Sequence, residues 1–252
     1  MVLSQFIASF GFDPLRSGNF GIEREYFLID KDNRLAPRSP QFLSQADHPA
    51  WGYELSACQV EHRTAPARMP EEIRELLVAG ERYGQAVAAA LGLSIKAIEV
   101  APENMPRDIY PHNERYAQIA KRLPPEVLLA ALRVTGIHVH FGVPDINEAI
   151  RVHNRLAINL DRLIAAGDGS NGERMQLYRV VAPNCRPPLY ESPDHFFRVA
   201  QDENFADNPR NCWHLVRITG HGTVETRVFG MTHDAERILS WIEMMKDVIS
   251  AR

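Results

Sequence analysis

Charged residues recur at every second position in three stretches: Gly21-Ile22-Glu23-Arg24-Glu25-Tyr26-Phe27-Leu28-Ile29, Gln59-Val60-Glu61-His62-Arg63-Thr64 and Thr223-Val224-Glu225-Thr226-Arg227-Val228-Phe229. A period of two is the period of a strand. Glu23 with Glu25, Gln59 with Glu61 and Arg63, and Glu225 with Arg227 therefore each share a face, and mostly apolar neighbours take the other. Each stretch predicts a strand with an apolar back and a charged front.

Carboxylates gathered on one concave face repel one another by roughly 4 kcal/mol per pair at about 4 Å and an effective dielectric of about 20. A positive partner is required. Divalent Mg²⁺ or Mn²⁺ fits best, because these ions take oxygen ligands and bridge protein carboxylates to substrate phosphates. A fourth stretch, Val134-Thr135-Gly136-Ile137-His138-Val139-His140-Phe141-Gly142, puts His138 and His140 on one face and Ile137, Val139 and Phe141 on the other. Either histidine can bind metal or phosphate, or be a satisfied structural group. Glu54 is out of phase with Glu61 in a regular strand and joins its face only through a bulge or a late strand start. Glu225 and Arg227 read either as a local ion pair or as a metal ligand beside a phosphate-binding guanidinium, whose planar fork matches phosphate oxygens.

At 252 residues without a linker, repeat or low-complexity tract, the chain is expected to form one domain. The net charge of -4 without a basic block argues against nucleic acid as the main partner. No run approaches the roughly 20 apolar residues of a membrane span, and Met1 to Pro14 lacks the pattern of a secretory signal. Cys58, Cys185 and Cys212 have no metal-type spacing, so a reducing cytoplasm is expected.

Six strands are predicted, near 20 to 30, 53 to 64, 93 to 100, 134 to 143, 212 to 219 and 223 to 230, with the last two joined through Gly220-His221-Gly222 as a hairpin. Helices are predicted over 70 to 91, over 146 to 165 behind Asp145, and at the C-terminal end. There Ile238, Trp241, Ile242, Met245, Val248 and Ile249 form one apolar stripe. Residues 168 to 211 lack periodicity and read as an irregular, substrate-facing segment. The expected fold is α+β, a curved antiparallel sheet with helices on its outer face.

The four charged stretches, taken in order, resemble the type 2 branch of the glutamate-cysteine ligase and carboxylate-amine ligase family, which is related to the amidoligases. Phe20 to Asp30 is similar to its GxExE-type strand, Glu54 to Pro66 to its Gln-Val-Glu-x-Arg-Thr core, Gly136 to Val143 to GxHVHxGV, and Gly222 to Phe229 to GTxExRxF. The resemblance implies a glutamine-synthetase-like catalytic fold using ATP and Mg²⁺ or Mn²⁺. It implies Glu23, Glu25, Glu54, Glu61, His138 and Glu225 as metal ligands. Arg227, Glu225 and Glu61 would carry the chemistry, with Arg227 facing the transferred phosphate; apart from the resemblance, His138, His140, Arg63 and Arg179 are candidate nucleotide-binding residues by residue type. Arg174, Arg179 and Arg186 are candidate anchors for ATP or a substrate carboxylate. The implied reaction joins a small-molecule carboxylate, glutamate or a related amino acid, to an amine through an acyl phosphate. Homo-oligomer formation is left open. Two alternatives remain: a zinc hydrolase built on His138, His140 and a glutamate, and a non-catalytic binder of nucleotide or amino acid.

Overall fold

The computed structural model describes residues 1–251. In chain order the elements are α1 (Leu3–Ala8), β1 (Phe20–Asp30), α2 (Ser39–Ala46), β2 (Trp51–Tyr53), β3 (Gln59–Arg63), α3 (Pro70–Ala90), β4 (Leu93–Lys96), α4 (Glu114–Arg122), α5 (Pro125–Arg133), β5 (Gly136–Gly142), α6 (Ile146–Ile158), α7 (Leu160–Gly167), α8 (Glu173–Val181), α9 (Pro193–Asp202), β6 (Val216–Thr219), β7 (Thr223–Gly230) and α10 (Ala235–Ser250). The strands form one seven-stranded antiparallel sheet in the order β2-β3-β1-β5-β7-β6. Strand β4 pairs with the far end of β1, on the side opposite β3.

Helix α10 lies where its pattern requires, with all six residues of its stripe buried. Each such side chain contributes roughly 1.5–3 kcal/mol on burial, and Trp241 stacks on Phe229 of β7 at 4.8 Å between ring centroids. Asp234 caps the helix by accepting from the Glu236 and Arg237 amides. Strands β6 and β7 form the expected hairpin, its turn closed by Gly222 at φ 72°, a left-handed conformation that suits a residue without Cβ.

Several expectations are corrected. The single strand over 53 to 64 is two short strands, β2 and β3, that fold back on one another with Trp51 opposite His62. Between them Ser56 accepts from the Gln59 amide and Ala57 donates to the Asp108 carbonyl, which takes 54 to 58 out of the ladder. The sheet thus has seven strands, one more than expected. Strand β6 starts only at Val216, after a 3-10 turn over Pro209–Asn211. The predicted helix over 146 to 165 breaks at Asn159 into α6 and α7. Residues 168 to 211 are not irregular throughout, because they hold α8 and α9. These helices are nine and ten residues long and bury only Arg174, Met175 and Tyr178, and Phe196 and Ala200, too few positions for a visible period. The start of α9 was nonetheless legible: Ser192 caps it, accepting from His195, and Pro193 follows at the first helical position.

Candidate active site

Strand register brings the four charged fronts together. Glu23 stands opposite Arg63 on one side and His138 on the other, and Glu25 opposite Glu61. His140 and Arg217 flank Glu225. These side chains line one cavity of about 940 Å³ together with Glu54, Gln59, Arg227, Tyr116, Tyr178 and Trp213.

On the β1, β5 and β7 side, Glu23, His140 and Glu225 each offer a donor atom within 4.8 Å of the others. His140 Nδ1 lies 2.9 Å from the Thr223 hydroxyl, which orients the ring and turns Nε2 toward Glu23 Oε1 at 3.4 Å. His138 Nδ1 lies 3.3 Å from Glu23 Oε2 and 3.5 Å from Glu225 Oε1. His140 Nε2 and Glu225 Oε1 are both buried without a hydrogen-bond partner. Native interiors rarely leave such atoms unanswered, and an ion at this position would answer both. Burial works to raise the Glu225 carboxyl, but Arg217 and Arg227, followed by His140 and His138, hold it down at about 2. Burial likewise opposes ionisation of Glu23, and the two imidazoles outweigh it, leaving that carboxyl well below its ordinary value.

On the β1 and β3 side, Glu25, Glu54 and Glu61 form a second trio with donor atoms within 4.8 Å of one another. Glu54 reaches it from the loop that interrupts the ladder, which resolves its phase mismatch with Glu61. Here the repulsion is offset only in part, by Arg63 Nε at 3.4 Å from Glu61 Oε1 and His138 Nε2 at 3.6 Å from Glu25 Oε1. Burial and the neighbouring Glu25 push the Glu54 carboxyl up to about 8, and burial with Glu23, Glu54 and Glu25 pushes Glu61 well above its ordinary range. Three hard oxygen donors that resist sharing their charge suit a divalent cation such as Mg²⁺ or Mn²⁺.

Arg227 lies half-buried on the same floor, its Nε enclosed 3.3 Å from Glu225 Oε1 without a hydrogen bond. Its guanidinium lies 5.8 Å from the Tyr178 ring centroid and 5.7 Å from that of Trp213. Arg63 lines the cavity wall, with Nε 3.4 Å from Glu61 Oε1. Arg179 is not brought to the cavity. Arg174 and Tyr178 occupy the buried face of α8, and the next residue turns onto its exposed side. Arg186 is also outside, paired with Asp161 at 2.9 Å. Arg174 lines the cavity but cannot anchor a substrate, because its guanidinium donates to the carbonyls of Thr135, Val228 and Arg227.

Sequence reasoning missed Arg217, whose Nε donates to Glu225 Oε2. A hairpin closed at Thr219 and Thr223 dictates that pairing, so the signal was present. Tyr116, Tyr178 and Trp213 were also missed, lying where no periodic pattern marked them. The Tyr116 hydroxyl is pushed up chiefly by the neighbouring Glu54 charge.

The fold and the chain's relatives agree on a class. The structure superposes on a bifunctional glutathione synthetase from Pasteurella multocida with a TM-score of 0.66 at 14% identity, covering 94% of this chain and 40% of that one. It superposes on a glutamate-cysteine ligase from Francisella tularensis, solved in complex with AMP, with a TM-score of 0.58 at 14% identity, covering 96% and 68%. Glutamine synthetase from Plasmodium falciparum follows with a TM-score of 0.51 at 10% identity, covering 92% and 51%. The architecture is therefore that of glutamine-synthetase-like ligases. The profile of glutamate-cysteine ligase family 2 (GCS2) matches residues 19–170, and the chain belongs to that family. It is 27% identical over 267 residues to the glutamate-cysteine ligase of Haloferax volcanii, covering 93% of this chain and 70% of that protein. It is 29% identical over 159 residues to a relative from Rhodococcus jostii, of which it spans 42%. Among the described residues no helix is long and apolar enough to cross a membrane.

Proposed function

We propose that the chain is a single catalytic domain that joins a small-molecule carboxylate to an amine at the expense of ATP, with glutamate or a related amino acid as the acid. The carrying observation is the convergence of two donor trios and Arg227 on one cavity. Glu23, His140 and Glu225 would hold one divalent cation and Glu25, Glu54 and Glu61 another, with His138 between Glu23 and Glu225. Bound there, Mg²⁺ or Mn²⁺ would neutralise triphosphate oxygens and charge developing in the transition state.

The residues of the chain do the rest. Arg227, half-buried and aimed by β7, stabilises the transferred phosphoryl group as a substrate carboxylate oxygen bonds to the γ-phosphorus and the bond to ADP breaks. The amine nitrogen then attacks the acyl carbon, losing a proton as phosphate leaves. Arg63 on the wall is placed to meet the nucleotide. No Ser or Cys nucleophile is needed, and Cys58, Cys185 and Cys212 are all buried. The same reading places the protein in a reducing cytoplasm.

The zinc-hydrolase alternative calls for both histidines on one ion, whereas the two trios hold five carboxylates and one imidazole, a set that favours a harder ion. The test is ADP release with Mg²⁺ across amino acids and amines, repeated in Glu225→Gln and Arg227→Ala. Turnover should need metal, acid and amine together and fall by at least about 100-fold in each variant. Metal-independent turnover, or wild-type rates in both variants, sinks the proposal. ATP binding without ADP release from any pair would mark a non-catalytic binder.

A further inference from the structure

The cavity floor contains a defect in its own ladder. Between β5 and β7 the register shifts by one residue, so that Arg227 and Val228 both stand opposite His138. A bulge of this kind costs the strand regular pairing and re-aims a side chain. Here the carbonyls at the bulge are taken up from outside the sheet. Arg174 of α8, 3% exposed, donates from Nη2 to the Arg227 carbonyl at 3.0 Å and from Nη1 to the Val228 carbonyl at 3.1 Å. Its Nε donates to the Thr135 carbonyl at 2.6 Å, just before β5. One planar fork thus ties both bulge residues to the neighbouring strand.

The site is built to admit that fork. A Cβ at Gly136 would collide with the Arg174 guanidinium and crowd the Phe229 carbonyl. One turn further along α8, Tyr178 supplies one of the two rings flanking Arg227, and its hydroxyl donates to the Trp213 carbonyl, which tethers the residue bearing the other ring. We propose that Arg174 is a positioning residue: by holding the carbonyls of both bulge residues it sets the direction in which Arg227 enters the cavity. The proposal rests on the reading of Arg227 as the group that meets the transferred phosphoryl.

The test uses Arg174→Lys, which keeps the charge and a donor but not the fork. In the full-length protein with Mg²⁺, kcat for ADP release should fall about tenfold while KM for ATP stays within about threefold, because misaiming one group by a fraction of an ångström acts on the chemical step. In an Arg227→Lys background the same change should alter kcat by less than about twofold, since there is no guanidinium left to aim. An equal loss in both backgrounds, or an unchanged kcat in the single variant, overturns the proposal. A second measurement does not depend on turnover. In protein labelled with ¹⁵N-arginine, the Arg227 Nε–H resonance should shift or broaden in Arg174→Lys while that of Arg24, buried behind the sheet, stays in place as a control for folding. If the wild type releases no ADP, the ligase reading fails, and an unmoved Arg227 resonance still overturns the positioning role on its own.

Discussion

The two faces of β1 carry charge to opposite ends. Behind the sheet, Arg24 is fully buried, yet it donates to the Leu77 carbonyl at 2.6 Å and to Glu81 at 3.3 Å and lies 3.2 Å from His62 Nδ1, leaving only Nε without a partner. Glu81 in turn meets the Tyr26 hydroxyl at 3.3 Å and His233 at 2.8 Å. In front, one residue away on either side, the Glu23 and Glu25 neighbourhood leaves His140 Nε2 and Glu225 Oε1 unanswered and drives Glu54 and Glu61 toward their neutral forms. A buried charge closed off by its own fold serves the fold, and one left open serves something that arrives later.

The sharpest way to break this contrast is Arg24→Met. Removing one partner from a buried ionic network should destabilise the protein by about 3–5 kcal/mol in urea unfolding. A loss under about 1 kcal/mol would show that the back is not a closed network.

Glu61→Gln probes the front. Occupancy of the Glu25, Glu54 and Glu61 site by Mg²⁺ at about 100 times its dissociation constant should add about 2.7 kcal/mol of stability to the wild type. The variant should lose most of that gain and, free of metal, be no less stable than wild type. An undiminished Mg²⁺ response would remove Glu61 from the ligand set.

The smallest effects lie in the pH dependence of thermal stability in chelator, where His62 behind the sheet and Glu54 in front should slope in opposite directions. Burial, with Arg24, depresses His62 from 6.5 to about 3, so the unfolded chain binds more protons below 6.5, and stability falls as pH drops from there toward 3. Glu54 is raised from 4.5 to about 8, so the folded chain holds the extra proton between those values, and its contribution is lost as pH rises through 8. Glu54→Gln should flatten the alkaline limb and leave the acid limb untouched. A change in the acid limb above the range where Glu23 and Glu225 take up protons would mean the two faces are not independent.

Most of the front was legible because a strand's period of two is rigid. Glu23, Glu25, Glu61, His138, His140, Glu225 and Arg227 all line the cavity, each on the strand that carries its motif. What the period could not supply was contact between distant segments. Arg24 and His62 counted as part of a mostly apolar back, although their partner Glu81 lies on α3, 57 residues along the chain from Arg24. Arg179 was assigned to the nucleotide by residue type alone, and a helical turn of about 100° per residue puts it on the solvent side while Tyr178 faces inward. The 168 to 211 segment hid two short helices because each buries too few side chains to leave a pattern.

Glu54 alone among the six trio residues sits on a loop, between β2 and β3, while the other five sit on strands. Strand-borne donors keep their spacing fixed by the ladder, whereas Glu54 is set by bonds outside it, Leu55 accepting from the Tyr110 amide and Ala57 donating to the Asp108 carbonyl. The position of that one donor can therefore be altered by substitutions in residues 54 to 58 or in the segment they bond to, without disturbing the scaffold that holds the other five.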